Sequence, residues 1–172
     1  KTYLAKKISE QLSKSEYSDF PSSEYQKVYV EIISCHNSVT YEDVVGGITA
    51  DTESGKMLFE YKDKIFIETI LKAAKDYQEG KGTKYVLILD DLQRNDVSTL
   101  IGDAIDAIGS EGKETKLYLN SGSAIMVPPN FYVIGTYNAT EAGAIALSSD
   151  LMRKFYVREI LSNIEYITED SE

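Results

Sequence analysis

The chain has 172 residues, with 18 Lys and Arg against 28 Asp and Glu and a net charge of -10. That length supports one domain with a sizeable core, and the charge excludes a broad nucleic-acid-binding face, which needs clustered Lys and Arg. No apolar run approaches the roughly 20 residues that cross a bilayer, so a membrane protein is not expected.

The first residues, Lys1 to Glu10, read as a polar-faced helix rather than a signal peptide. Leu4, Ala5, Ile8 and Leu12 recur at helical spacing and predict an amphipathic helix over 2–13. A polar stretch from Ser13 to Ser23 follows, broken by Pro21. Residues 28–33 are short and β-rich and predict a strand. Residues 37–63 are mixed, with turns at Gly46-Gly47 and Gly55, and Met57 to Tyr61 fits one strand of a small hairpin. Ile67, Ile70, Leu71, Ala74 and Tyr77 mark a second helix, 65–79, closed by Gly80 and Gly82.

Tyr85 to Leu89 is a continuous apolar run ending in Asp90-Asp91. A run apolar on both faces suits a buried parallel strand. Val97, Leu100, Ile101, Ala104, Ile105 and Ile108 predict a helix over 97–109, ended by Gly109 and Gly112. Residues 116–126 read as a hairpin around Asn120-Ser121-Gly122. Residues 131–135 read as a buried strand, 144–152 as a short helix and 155–160 as a last strand. Strand–helix alternation predicts an α/β fold with a largely parallel sheet flanked by helices and β-hairpin insertions. The core is expected over 1–161, and 162–172 as a solvated acidic tail.

Ligands of open parallel sheets bind at the carboxyl ends of the strands. Asp90 and Asp91 follow one such strand and Asn138 follows another. A carboxylate there can hold Mg²⁺, which takes one or two carboxylates plus phosphate oxygens, and a second can orient an attacking water. The plainer alternative is that the two aspartates cap the next turn. Lys1-Thr2 at a helix start matches the last two residues of a phosphate-binding loop, where the Lys meets phosphate and the Thr hydroxyl meets Mg²⁺; the plainer alternative is a helix that starts with Lys-Thr by chance. Cys35 is the single cysteine and His36 the single histidine, so no zinc set exists and adjacent strand residues point apart. A lone cysteine fits a reducing, cytoplasmic compartment. Arg94 reads as a contact to nucleotide or neighbour, or as a solvated surface residue. The 13 tyrosines read as packing in half-buried strands.

In order, Lys1-Thr2-Tyr3-Leu4-Ala5, Ser34-Cys35-His36, Tyr41-Glu42-Asp43, Leu87-Ile88-Leu89-Asp90-Asp91, Gln93-Arg94-Asn95, Val127-Pro128-Pro129-Asn130, Gly135-Thr136-Tyr137-Asn138 and Leu151-Met152-Arg153-Lys154-Phe155 form a pattern. From Lys1 to about Ile160 it resembles the AAA+ domain, a P-loop NTPase, of McrB-type GTPase subunits of methylcytosine-specific restriction systems. MoxR-type ATPases share parts of it.

The resemblance implies that Lys1 contacts phosphate and that Thr2 and Asp90 bind Mg²⁺ and nucleotide. It implies that Asp91 and Asn138 position the attacking water and that Arg153 reaches a neighbouring subunit's nucleotide. The substrate implied is GTP or ATP. The implied assembly is a homo-oligomer, a hexameric ring, with an endonuclease subunit as partner and DNA read by another domain. The hairpin over 116–126 resembles the insertion that can face the ring's pore. Three departures stand out. Asp91 replaces the family's Glu; Tyr137 and Glu141 replace its Met and Asp; and the first strand and most of the P-loop are expected upstream of Lys1, as is a helical lid after the last strand. Residues 1–172 alone are therefore expected to be inactive. The rival readings are a MoxR-like protein-remodelling ATPase and a degenerate AAA+ scaffold with little hydrolysis.

Overall fold

The computed structural model describes residues 1–12, 27–53, 56–108, 115–118, 122 and 124–160. The helices are α1 (Thr2–Leu12), α2 (Tyr41–Val44), α3 (Ile65–Gln78), α4 (Val97–Ile101) and α5 (Ser149–Arg153). The strands are β1 (Val28–Ser34), β2 (Gly46–Glu53), β3 (Lys56–Asp63), β4 (Lys84–Asp90), β5 (Thr115–Tyr118), β6 (Ala124–Val127) and β7 (Phe131–Gly135).

β4 is the centre. It pairs in parallel with β1 on one side and β7 on the other. Its alternate residues serve two cores. Val86 and Ile88 pack with Ala5 of α1, together with Leu12, Val28, Tyr132 and Ile134. Tyr85, Leu87 and Leu89 face the larger core with Phe66, Ile67 and Ile70 of α3 and Leu100 and Ile101 of α4. Burial on both faces is why residues 85–89 carry no polar alternation. The expected α/β fold, a parallel sheet flanked by helices, is the observed one.

Two antiparallel hairpins are inserted, β2–β3 and β5–β6. The first is longer than the expected strand at Met57 to Tyr61, because Gly46 to Glu53 pair along the whole of Lys56–Asp63. A helical turn, α2, precedes it. Asp43 Oδ2 accepts both the backbone N–H and the hydroxyl of Thr40, at 2.9 and 2.8 Å. That side-chain contact closes the first turn of a segment with no helical stripe.

Four expectations are corrected. Gly46-Gly47, expected as a turn, instead open β2 and pair with Asp63 and Lys62. The helix over 97–109 stops at Ile101 and continues as a 3-10 helix over 102–107. Gly102 has φ +47, and a Cβ there would lie 3.0 Å from the Tyr41 ring. Tyr41 donates to Asp103 at 2.8 Å, which holds that close approach. The apolar stripe persists through the break, which is why the sequence reads as one helix. The expected strand at 155–160 is not a strand: these residues lack regular structure, with Tyr156 87% exposed and Val157 62% exposed. A strand needs a neighbour for its backbone groups, and the described strands offer this segment none. The short helix expected at 144–152 forms later, over Ser149–Arg153, where the Ser148 hydroxyl accepts the N–H of Leu151 at 3.2 Å. The expectations for Ser13 to Ser23, Gly55, Gly109, Gly112, Asn120-Ser121 and 162–172 lie outside the described residues. Among the described residues, no helix is long and apolar enough to cross a membrane.

Candidate functional site

The parallel register pairs Ser34 with Asp90 and Leu89 with Gly135. The carboxyl ends of β1, β4 and β7 therefore lie at one level. The start of α1 comes to the same place, because Ala5 packs on Val86 and Ile88.

Thr2 Oγ1 lies 2.8 Å from each carboxylate oxygen of Asp90. Lys1 Nζ donates to the Tyr137 carbonyl at 2.7 Å and to Asn138 Oδ1 at 3.1 Å. Residues far apart in sequence thus meet at the N-terminus of an 11-residue helix, where unpaired N–H groups and the helix dipole favour an anion. Thr136 joins them: its hydroxyl donates to Asp90 Oδ1 at 2.6 Å and accepts the backbone N–H of Asp91 at 3.0 Å.

Asp91 sits at φ +60, and it is the described non-glycine residue in the left-handed region. Asp tolerates that region better than most residues do. Its carboxylate accepts from Gln93 Nε2 at 3.1 Å and pairs with Arg94 Nε at 3.3 Å. Arg94 Nε also meets Glu141 at 2.9 Å. The Arg94 side chain is half-exposed and its guanidinium bridges the carboxylates of Asp91 and Glu141.

Five of the six candidate residues, Lys1, Thr2, Asp90, Asp91 and Asn138, therefore converge. Arg153 stands apart. Its side chain is 79% exposed and its ion pair is a surface contact to Asp150 at 3.6 Å, a kind of pair that contributes little. Thr136, Gln93 and Glu141 stand in the motifs that carry the resemblance, but the sequence assigns none of them a role at this site.

A cavity of about 440 Å³ adjoins the site, between α1, the edge of β7 and residues 158–160. Lys1, Asn138, Ile134, Leu4 and Ile8 line it, and Arg158 adds a second cation. The oxygen donors suit Mg²⁺. Thr2 and Asp90 offer a hydroxyl and a carboxylate, oxygen donors of the kind Mg²⁺ takes. Among the described residues no cluster of three or more His, Cys, Asp or Glu forms an all-protein cage.

Cys35 lies beneath this site, fully buried, with its N–H donating to the Asp90 carbonyl at 2.8 Å. Burial, with Asp90 and Asp91 nearby, pushes its thiol up to about 12. A protonated, inaccessible thiol is a poor nucleophile. His36 is exposed and its Nδ1 lies 3.1 Å from the Ser38 hydroxyl.

No family model matches the chain. It is 27% identical over 132 residues to the type IV methyl-directed restriction enzyme EcoKMcrB subunit of Escherichia coli K12. That match covers 73% of this chain and 27% of the relative, so the chain spans about a quarter of the relative's length. A solved structure from Cytophaga hutchinsonii, provisionally named an ATPase, covers 76% of the chain and 32% of its own, at 14% identity and a TM-score of 0.47. The parallel sheet order and the sequence likeness agree on this much: the chain is an α/β core with a largely parallel sheet, similar over most of its length to the type IV methyl-directed restriction subunit.

Proposed function

We propose that this chain is the nucleotide-hydrolysing core of an NTP-driven subunit in a modification-dependent DNA restriction complex, with GTP favoured over ATP. The observation that carries the nucleotide reading is the Thr2 hydroxyl set against both oxygens of Asp90 at the start of α1. The restriction role rests on the likeness to the methyl-directed restriction subunit, and the preference for GTP on the resemblance of the motifs to McrB-type GTPase subunits. By the same likeness the protein works in the cytoplasm as a homo-oligomeric ring, hexameric, beside an endonuclease subunit. DNA contact falls to another domain, in keeping with the net charge of -10.

In this reading Lys1 holds phosphate oxygens as a point charge, and the N–H groups of α1 face the same anion. Thr2 and Asp90 would hold Mg²⁺, which would supply positive charge at the phosphate oxygens. Asp91 and Asn138 hold the attacking water. Its oxygen bonds to the terminal phosphorus while the bond to the bridging oxygen breaks and that oxygen leaves on the nucleoside diphosphate; one of its protons passes to Asp91 and on to the released phosphate, and the other stays on the new P–OH. Arg153 would approach from a neighbouring copy, which its exposure permits. The P-loop expected before Lys1 would supply most of the backbone N–H groups around the phosphates, so the full-length protein is the one to assay.

The short reach of Asp91, and its engagement by Gln93 and Arg94, favour slow turnover and keep the scaffold reading as a defined alternative. Phosphate release from GTP and ATP, measured in parallel on the full-length protein, separates the readings. Turnover with GTP preferred is expected. Turnover with ATP alone points to a remodelling ATPase, and binding of either nucleotide without turnover points to the scaffold.

A further inference from the structure

The buried side chain of Gln93 uses both ends of its amide. Nε2 donates to Asp91 Oδ1 at 3.1 Å and to Glu141 Oε2 at 2.6 Å, while Oε1 accepts the backbone N–H of Asn138 at 2.9 Å. The Gln93 backbone carbonyl accepts the N–H of Ile145 at 2.8 Å. One residue thus ties Asp91, at the end of β4, to the segment that follows β7.

The amide has one workable orientation. A flipped amide would set its carbonyl oxygen against two carboxylates and its NH₂ group against an N–H, losing all three bonds. Glu141 takes the second Nε2 proton and so adds a third bond to that single orientation. Arg94 spans the same two carboxylates but is half-exposed, and pairs of that kind hold position weakly. Positional control therefore lies with the buried amide.

We propose that Gln93 is a positioning residue for hydrolysis, fixing the separation between Asp91 and Asn138 through a single buried side chain. The proposal rests on the nucleotide-hydrolysing reading above. It also gives Glu141 a role, since Glu141 fixes the amide that fixes Asp91. The side-chain bonds of Gln93 go to Asp91, Glu141 and Asn138 rather than to Lys1, Thr2 or Asp90. Its loss should therefore act on the chemical step and spare nucleotide binding.

The test is kcat and KM for GTP and ATP on the full-length protein, with Gln93→Leu and Gln93→Glu. The first keeps the volume and removes the hydrogen bonds; the second keeps the shape and turns a donor into a carboxylate facing two others. Each is expected to lower kcat about a hundredfold, as misplacement of roughly 1 Å can do, with KM unchanged. Backbone amide exchange at Asn138 should quicken in Gln93→Leu. If that variant does not fold, the isosteric Gln93→Glu carries the test. Unchanged kcat in an active protein, or a rise in KM with kcat kept, overturns the proposal. A wild-type protein that turns over neither nucleotide removes the hydrolytic reading itself, and the proposal with it.

Discussion

Replacing Asp90 with Asn is expected to lower nucleotide hydrolysis about a thousandfold, the upper range for removing one electrostatic group from a site that stabilises developing charge. The side chain keeps its shape, and it still sits at the end of β4, opposite Ser34. What goes is the negative charge that would hold Mg²⁺, and one of the acceptors for Thr2 and Thr136 becomes an amide donor. The loss should therefore fall on Mg²⁺-dependent binding as well as on turnover. Phosphate release across a Mg²⁺ series, with circular dichroism to verify folding, checks it. Hydrolysis near wild-type rates with a folded protein would mean that Asp90 only caps its turn.

Arg153→Ala should lower kcat by about a thousandfold or more, the range reached when an arginine that stabilises the transferred phosphoryl group is lost. The side chain is 79% exposed, so the melting temperature should hardly move. A trans role has its own signature. Subunits carrying Asp90→Asn keep Arg153, and subunits carrying Arg153→Ala keep Asp90. Mixed into one assembly, two inactive variants should regain turnover, because some sites then combine an intact Asp90 with a neighbour's Arg153. No recovery on mixing, or full activity of Arg153→Ala alone, would place the arginine outside the reaction.

The parts of this fold that are legible in the sequence are those where local pattern and burial coincide. Residues 85–89 sit between two cores, so their uninterrupted apolar run announces the central strand. Lys1, Thr2, Asp90 and Asn138 are legible because each lies at the end of a predicted element, and in parallel sheets those ends share one edge. The misread parts depend on partners that local pattern does not show. Residues 155–160 have a strand's composition without a described strand to pair with. The stripe over 97–108 hides a break at Gly102 that the Tyr41 ring requires. Gln93 gains its place from Glu141, 48 positions away, and no spacing rule connects an amide in one turn with a carboxylate in another.

The backbone at Asp91 links these observations. Its φ of +60 turns the chain sharply after β4 and brings Leu92 N–H to the Thr136 carbonyl at 2.9 Å. The same turn sets Asp90 and Asp91 in different surroundings. Asp90 meets the hydroxyls of Thr2 and Thr136, whereas Asp91 meets Gln93 and Arg94. Two neighbouring carboxylates with separate partners can take separate roles, one toward a cation and one toward water.

Calorimetric titration of the full-length protein with GTP and with ATP, each with and without Mg²⁺, tests the central claim most directly. The account predicts saturable binding that requires Mg²⁺ and is lost in Asp90→Asn. Binding that ignores Mg²⁺ and survives that substitution, or no binding of either nucleotide, would contradict it.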